Sequence, residues 1–364
     1  MLTQCSVYNV NMSDRLWKIV YMVRALCELE ITEGLTDVAR KELIEQIGRA
    51  NLSQIQEYKE AIQFTLKSDV QELLSLKTAA SAYIVHQFDI PRPKALLGHQ
   101  NFTQLLKLIK HIRELHPINT FNSLYLSAAG SNSSVMQRIK EELSQATGLV
   151  VDDSEGDLLI RIRRTKNSWD VLVRLTPRPL ATRGWRVVDL PGALNAPVAH
   201  VMARLAGIKP HYQVLNLMCG SASLVIEAHS IERTARITGV DLDTEALNAA
   251  HINAKAARIR RSTSFIQGDA AQLPFRNADF DILLADLPFG NLVGSHEYNV
   301  RIYPRVFHEA WRVAKPGARF VLITHEVRLM EQILADMPQW QVEDIRKINL
   351  RGLHPRIYTL RKSK

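Results

Sequence analysis

From Asn195 onwards, short apolar runs alternate with segments of helical period. The runs fall at 213–218, 238–240, 263–266, 280–285, 319–324, 341–346 and 357–360, and the helical segments lie near 221–229, 244–257, 303–313 and 327–336. Strands that lie parallel cannot be joined by a tight hairpin and need a crossover, usually a helix. The alternation therefore predicts a doubly wound, mostly parallel sheet over 195–364. In such sheets ligands bind beyond the carboxyl ends of the strands, near the point where strand order reverses. The residues that directly follow each strand are the ones to read for chemistry.

Upstream, the pattern predicts two smaller α+β units, 1–95 and 96–176, and a proline- and arginine-rich linker over 177–194. In the first unit a strand is expected over 23–31. Next comes a helix with Leu35, Val38, Ala39, Leu43 and Ile47 on one face, then a helix start at Ser68-Asp69, then a strand over 83–90 stopped by Pro91 and Pro93. In the second, Asn101 is expected to cap a helix whose Leu105, Leu106, Leu108, Ile109 and Ile112 form one apolar face. Strands follow at 123–128, 158–163 and 169–175, with a helix between Ser133 and Gly148.

The formal net charge of +9 and a pI near 9.5 suit either a polyanionic partner or a basic solvated surface. Cys5, Cys27 and Cys219 are too widely spaced for a disulfide framework or a zinc site, so no metal and a reducing, cytoplasmic setting are expected. No apolar run reaches the length of a membrane span, and no export signal is visible. A start at Met22 is an open alternative.

Four strand ends carry the candidate chemistry. The first runs into Cys219-Gly220-Ser221-Ala222, small residues that let a backbone approach a ligand and aim helix N–H groups at it. Such loops also occur for packing alone. Asp241, after the second strand and beside Leu242, can accept both hydroxyls of a ribose, while Asp243 is placed to cap the next helix. Gly268-Asp269-Ala270 ends the third, as an acceptor for an adenine amine or as an ordinary turn. The fourth delivers Asp286-Leu287-Pro288-Phe289-Gly290. An exocyclic base amine is a poor nucleophile because its lone pair is delocalised into the ring. The Asp286 carboxylate and the Leu287 carbonyl can each accept one N–H and turn the lone pair towards a methyl sulfonium. Phe289 can stack on the base, and Pro288 stiffens the turn. Proximity and in-line alignment supply the rest.

Asp286–Phe289 resembles the fourth motif of class I S-adenosylmethionine-dependent methyltransferases that act on nitrogen. The stretches from Glu33 to Leu43, Gly156 to Arg161 and Leu175 to Arg186, with Gly294-Ser295-His296 and Tyr303-Pro304, are similar to THUMP-domain tRNA guanine-N2 methyltransferases of the TrmN type. The resemblance implies a C-terminal Rossmann-like methyltransferase domain preceded by ferredoxin-like and THUMP domains. It implies that the loop at Asn216 and Gly220, with Asp241 and Asp269, binds S-adenosylmethionine, that Asp286 to Phe289 holds a guanine, and that THUMP grips the 3′ end of tRNA. The target expected is a guanosine of the acceptor stem, at position six. The chain departs from the family at Asn216 (usually Asp), Ala222 (often Gly) and Leu287 (usually Pro). The departures at Asn216 and Ala222 keep open a catalytically silent RNA-binding protein. The shared chemistry keeps open a ribosomal-RNA guanine-N2 or DNA adenine-N6 enzyme.

Between 161 and 186 stand eight basic residues, Arg161, Arg163, Arg164, Lys166, Arg174, Arg178, Arg183 and Arg186, against one acidic residue, Asp170. They read as a phosphate-binding strip or as ordinary strand-surface charge. His296 is a candidate contact to the substrate. Cys219 reads as a packing residue rather than a nucleophile.

Overall fold

The computed structural model describes residues 24–166, 168–289, 295–350 and 352–363. Met22 and Val23, Cys5, Gly290, Gly294 and Arg351 lie outside the described residues. The chain divides into two compact units, one of Met1–Glu30 with Arg40–Leu180 and one of Ile31–Ala39 with Ala181–Lys364.

In the first unit, the two regions expected as separate α+β domains share one eight-stranded sheet. Its strands are β1 (Ala25–Ile31), β2 (Leu52–Glu57), β3 (Ala61–Leu66), β4 (Ala79–Phe88), β5 (Ser123–Ala128), β6 (Val150–Val151), β7 (Leu158–Arg164) and β8 (Trp169–Arg174), in the order β2-β3-β1-β4-β8-β7-β5-β6. The halves join where β4 pairs antiparallel with β8, from Tyr83 opposite Arg174 to Phe88 opposite Trp169. The helices are α1 (Thr36–Ile47), α2 (His99–Glu114) and α3 (Ser134–Thr147). Ser133 caps α3 and Gly148 closes it in the left-handed conformation, as the sequence predicts. Asn101 does not cap α2. That helix begins at His99 after Gly98, and the Asn101 amide instead donates to the Ala95 carbonyl at 2.9 Å. The β2–β3 hairpin is an edge feature absent from the sequence reading. β3 alternates Ile62, Phe64 and Leu66 inward, but β2 buries only Leu52 and carries a bulge, which hides its period.

The second unit carries β9 (Gln213–Leu217), β10 (Arg236–Asp241), β11 (Thr263–Gln267), β12 (Phe280–Asp286), β13 (Ala314–Thr324), β14 (Trp340–Lys347) and β15 (Arg356–Lys362). Their order is β11-β10-β9-β12-β13-β15-β14. The first five run parallel, β15 runs antiparallel to β13, and β14 pairs antiparallel with β15. Helices α4 (Ala196–Ala206), α5 (Ser223–Ile231), α6 (Thr244–Ala256), α7 (His296–Val313) and α8 (Val327–Asp336) complete the alternation. The central strands are buried on both faces, Val214, Leu215 and Leu217 in β9 and Ile282 to Ala285 in β12, as a parallel sheet covered by helices requires. Strand order reverses between β9 and β12, so the switch point lies at their carboxyl ends.

Two expectations shift. Helix α7 begins at His296, seven residues before 303, and contains Pro304. A proline inside a helical pattern reads as a stop, but here it lies within the helix's third turn, after a start capped by Ser295. The stretch 177–194 is not a free linker either. Val187 and Val188 donate N–H to Asn253 Oδ1, both at 2.9 Å, tying it into the second unit. Among the described residues no helix is long and apolar enough to cross a membrane.

Candidate active site

The loop after β9 is shaped by backbone conformation. Met218, Gly220 and Ala222 all adopt positive φ (51°, 51° and 73°), two of them without the freedom of glycine. Non-glycine residues held there store strain that the surroundings must over-determine, a mark of functional sites. The surroundings are visible. The Gly220 N–H donates to Asp241 Oδ2 at 2.8 Å, and Asp241 Oδ1 takes the Asp243 N–H at 3.0 Å. Asp243 in turn caps α6 through the Glu245 N–H, as expected of it. Cys219 is buried against Gly239, where an added Cβ would come within 2.9 Å of its sulfur. Burial pushes the Cys219 thiol up, which suits a packing residue and not a nucleophile.

Two buried polar groups beside this loop meet no partner among the described residues, Asn216 Oδ1 and Ser221 Oγ. The Asn216 amide nitrogen donates to the Leu217 and Leu284 carbonyls at 3.1 and 3.2 Å, which fixes the amide's orientation and leaves Oδ1 as an open acceptor. Native proteins leave few such groups unsatisfied, and each calls for an explanation such as a ligand. The Asn253 amide holds the loop from behind, donating to the Ser221 and Val188 carbonyls. Asp269 sits half-exposed at the end of β11, its Oδ1 accepting the Ala271 N–H at 2.8 Å, with Ala270 buried beside it. Leu242 is exposed next to Asp241. The parallel register brings Asn216, Gly220, Asp241, Asp269 and Asp286 to one edge of the sheet.

At the end of β12, Asp286 remains partly open to solvent, yet its surroundings push its carboxyl up to about 7. Burial is the cause, and no charge or hydrogen bond among the described residues offsets it. Leu287 points into the core. The Pro288 carbonyl accepts two hydrogen bonds, from Tyr303 Oη at 2.6 Å and from Asn299 Nδ2 at 2.9 Å. Phe289 faces His325, ring centroids 6.3 Å apart. His296 is exposed and bonds Glu326 through Nδ1 at 2.9 Å, and Glu326 also accepts from Asn299. Nothing in the sequence pattern marks Asn299, Thr324 or Glu326 as site residues, and Tyr303 stands out only in the Tyr303-Pro304 resemblance. Asn299 and Tyr303 sit at i and i+4 on α7, a polar pair on a buried face, but placing the helix start at 303 left Asn299 outside it.

The basic run is largely engaged within the fold. Arg163 bridges Glu28 (2.5 Å) and Asp170 (3.2 Å). Arg161 approaches Glu30 at 3.6 Å and stacks over Tyr83. Arg178 pairs with Glu155. Arg183 meets the buried Glu227, whose carboxyl the His200 bond and Arg183 hold below its usual range against the upward push of burial. Arg186 contacts Asp189, the Leu194 carbonyl and Ser223. The composition of 161–186 does not reveal these partners, because all but Asp170 lie outside it, in distant or flanking segments. Arg164 and Lys166 stay exposed at the β7–β8 turn.

Residues 183–356 match the family model described as RMKL-like, methyltransferase domain. A Thermus thermophilus protein named tRNA (guanine(6)-N2)-methyltransferase is 29% identical over 229 residues, covering 63% of this chain and 67% of the relative. A mouse protein named tRNA (guanine(6)-N(2))-methyltransferase THUMP3 is 28% identical over 186 residues, 48% of this chain and only 37% of the relative. The crystal structure of TrmN from Thermus thermophilus superposes with a TM-score of 0.76 at 24% identity, over 93% of this chain and 99% of that one. The strand order, the strained loop after β9 and the family match make the second unit a class I methyltransferase domain. Within that class the chain is similar to proteins of the TrmN type, in sequence to the Thermus thermophilus relative and in fold to TrmN. S-adenosylmethionine is the methyl donor of the class. The open acceptor at Asn216, the unpaired Ser221 hydroxyl and the carboxylates at successive strand ends fit its amino group, its ribose and its adenine.

Proposed function

We propose that the chain methylates the N2 amine of a guanosine in the acceptor stem of tRNA, at position six. The observation that carries this reading is the end of β12, where the Asp286 carboxylate stands next to a main-chain carbonyl, that of Leu287, which accepts no hydrogen bond among the described residues. Two adjacent acceptors match the two N–H groups of an exocyclic amine. The names of the similar proteins from Thermus thermophilus and mouse point to guanine N2 as that amine and to tRNA as the polymer.

In this reading Asn216, Cys219, Gly220, Ser221, Ala222, Asp241, Leu242, Asp269 and Ala270 line the cofactor site, which supplies an electrophilic methyl group. Asp286 and Leu287 hold the amine so that its lone pair faces that methyl. Pro288 stiffens the turn, and Phe289 stacks on the base, a contact worth about 1–3 kcal/mol. As the methyl arrives the nitrogen becomes acidic, and Asp286 Oδ, already raised to about 7, takes the proton. The exposed Arg164 and Lys166 supply phosphate contacts, and His296 stands at the mouth of the site. The paired arginines Arg161, Arg163, Arg178, Arg183 and Arg186 act mainly by holding the fold.

Transfer of labelled methyl groups to unmodified tRNA, followed by nucleoside analysis, tests the proposal. Label in N2-methylguanosine is the expected result; label in N6-methyladenosine, or none, refutes it.

A further inference from the structure

Three consecutive peptide groups follow β12, and the fold treats them differently. The Leu287 N–H donates to the Ile323 carbonyl at 3.1 Å, so the Asp286–Leu287 peptide is tied to β13. The Pro288 carbonyl receives Tyr303 Oη and Asn299 Nδ2, so the Pro288–Phe289 peptide is tied to α7. Between them lies the Leu287–Pro288 peptide. Its nitrogen belongs to a proline and bears no hydrogen, and its carbonyl accepts nothing among the described residues.

The groups that hold the outer peptide form a directed chain. Thr324 Oγ1 accepts the Glu326 N–H at 3.0 Å, and its own proton points to Tyr303 Oη at 2.8 Å. The Tyr303 proton is then committed to the Pro288 carbonyl. Asn299 Nδ2 also reaches Glu326 Oε1 at 3.1 Å, so both arms end on the segment that follows β13. Asn299, Tyr303 and Thr324 are fully buried, Tyr303 within a large apolar core that includes Ile302, Val306 and Phe307, and of their side-chain polar atoms Asn299 Oδ1 meets no partner among the described residues. Hydroxyl and amide groups in such a place are unfavourable unless hydrogen-bonded, and apolar residues of the same size would fill the space as well. Their presence is explained by what they hold.

We propose that Tyr303 and Asn299, braced by Thr324 and Glu326, are positioning residues. They saturate the Pro288 carbonyl and fix the turn, so that the Leu287 carbonyl is the single main-chain acceptor presented beside Asp286. This rests on the amine-methylating reading above. Misplacement of reacting groups by 1 Å can lower a rate by about a hundredfold, so a clamp that never touches substrate can govern turnover.

The test uses the full chain with S-adenosylmethionine and tRNA, and compares Tyr303→Phe, Thr324→Val, their double variant and Asp286→Ala. The expected result for Tyr303→Phe is a ten- to hundredfold lower kcat per folded molecule, with KM for S-adenosylmethionine within twofold. Thr324→Val shows a smaller fall of the same kind, and the double variant is no worse than Tyr303→Phe. A purely structural role would lower melting temperature and yield but leave kcat per folded molecule unchanged. An unchanged kcat in Tyr303→Phe beside an inactive Asp286→Ala overturns the positioning role alone. A fully active Asp286→Ala overturns the reading beneath it. Should Tyr303→Phe not fold, Thr324→Val decides by the same split between kcat and KM.

Discussion

The loops after β9 and β12 lie at the ends of neighbouring strands, yet they are held in opposite ways. Met218–Ala222 is set from within, by three residues at positive φ and by one carboxylate, Asp241, that the next strand delivers at a regular spacing. Asp286–Phe289 is set from outside, by side chains that arrive from α7 and from the end of β13. The first loop must bring backbone close to a ligand, and small residues with local strain achieve that. The second must present one chosen carbonyl and one carboxylate, and that takes bracing by residues more than ten positions away.

The difference can be broken at its ends. Asp286→Ala is expected to lower kcat by about 10²–10³, the usual effect of removing one preorganised polar contact to the reacting group. Calorimetric affinity for S-adenosylmethionine should stay within threefold, and a large loss of cofactor binding would mean that the two loops are not separate in function. Asp241→Ala should do the reverse. It removes the acceptor of the Gly220 and Asp243 N–H groups, charge-assisted bonds worth about 1.5–3 kcal/mol. Cofactor affinity should fall about 10–100-fold, with kcat at saturating cofactor changed only a few-fold. Unchanged affinity would count against Asp241 as a cofactor ligand.

The same contrast explains what was legible in the sequence. The β9 loop could be read because its parts are contiguous or lie at the fixed distance of a βαβ unit, and Asp243 capped its helix as its position after a strand implied. The doubly wound, mostly parallel character of the second unit followed from the alternation itself, while its strand order is a tertiary property that the alternation does not record. Asp286 to Phe289 was visible as a motif, but the clamp on Pro288 was not, because a hydrogen bond from Tyr303 depends on tertiary approach and Pro304 masked the true start of α7. The basic run failed for the same reason. Glu28, Glu155 and Glu227 neutralise Arg163, Arg178 and Arg183 from outside the window in which charges were counted. The joint sheet of the first unit was hidden because nothing in β4 or β8 records which strand it pairs with.

Titration of Asp286 sharpens the comparison further. The ionised carboxylate is the form that accepts an N–H and a proton, so kcat should fall about tenfold per pH unit below about 7 and level off above it. Asp286→Asn should abolish that dependence. In the absence of cofactor and RNA the same group acts on stability. Its folded pKa lies above the ordinary value of 3.8, so the folded state binds more protons than the unfolded state between those limits. Stability therefore falls as pH rises from about 4 to about 7, and Asp286→Asn flattens that slope in denaturant melts. A slope unaffected by the substitution would show that Asp286 ionises normally, and that its surroundings are wetter than the packing implies.

The smallest effects should come from the basic run, where the contrast between local and distant partners makes a graded prediction. Arg164 and Lys166 lie on the β7–β8 turn with exposed side chains, whereas Arg178 is exposed but paired with Glu155. A cation that neutralises one RNA phosphate releases counterions, and contributes about 0.7–0.9 to the slope of log affinity against log salt. Arg164→Ala and Lys166→Ala should each weaken tRNA binding a few-fold at low salt and reduce that slope by about this amount. Arg178→Ala should leave the slope nearly unchanged, because Glu155 already occupies the guanidinium, and should alter stability by less than about 1 kcal/mol, as exposed ion pairs do. If Arg178→Ala lowers the slope as much as Lys166→Ala does, the pair with Glu155 opens on binding, and the intramolecular partners of the other arginines would then have to be read as resting states that RNA displaces.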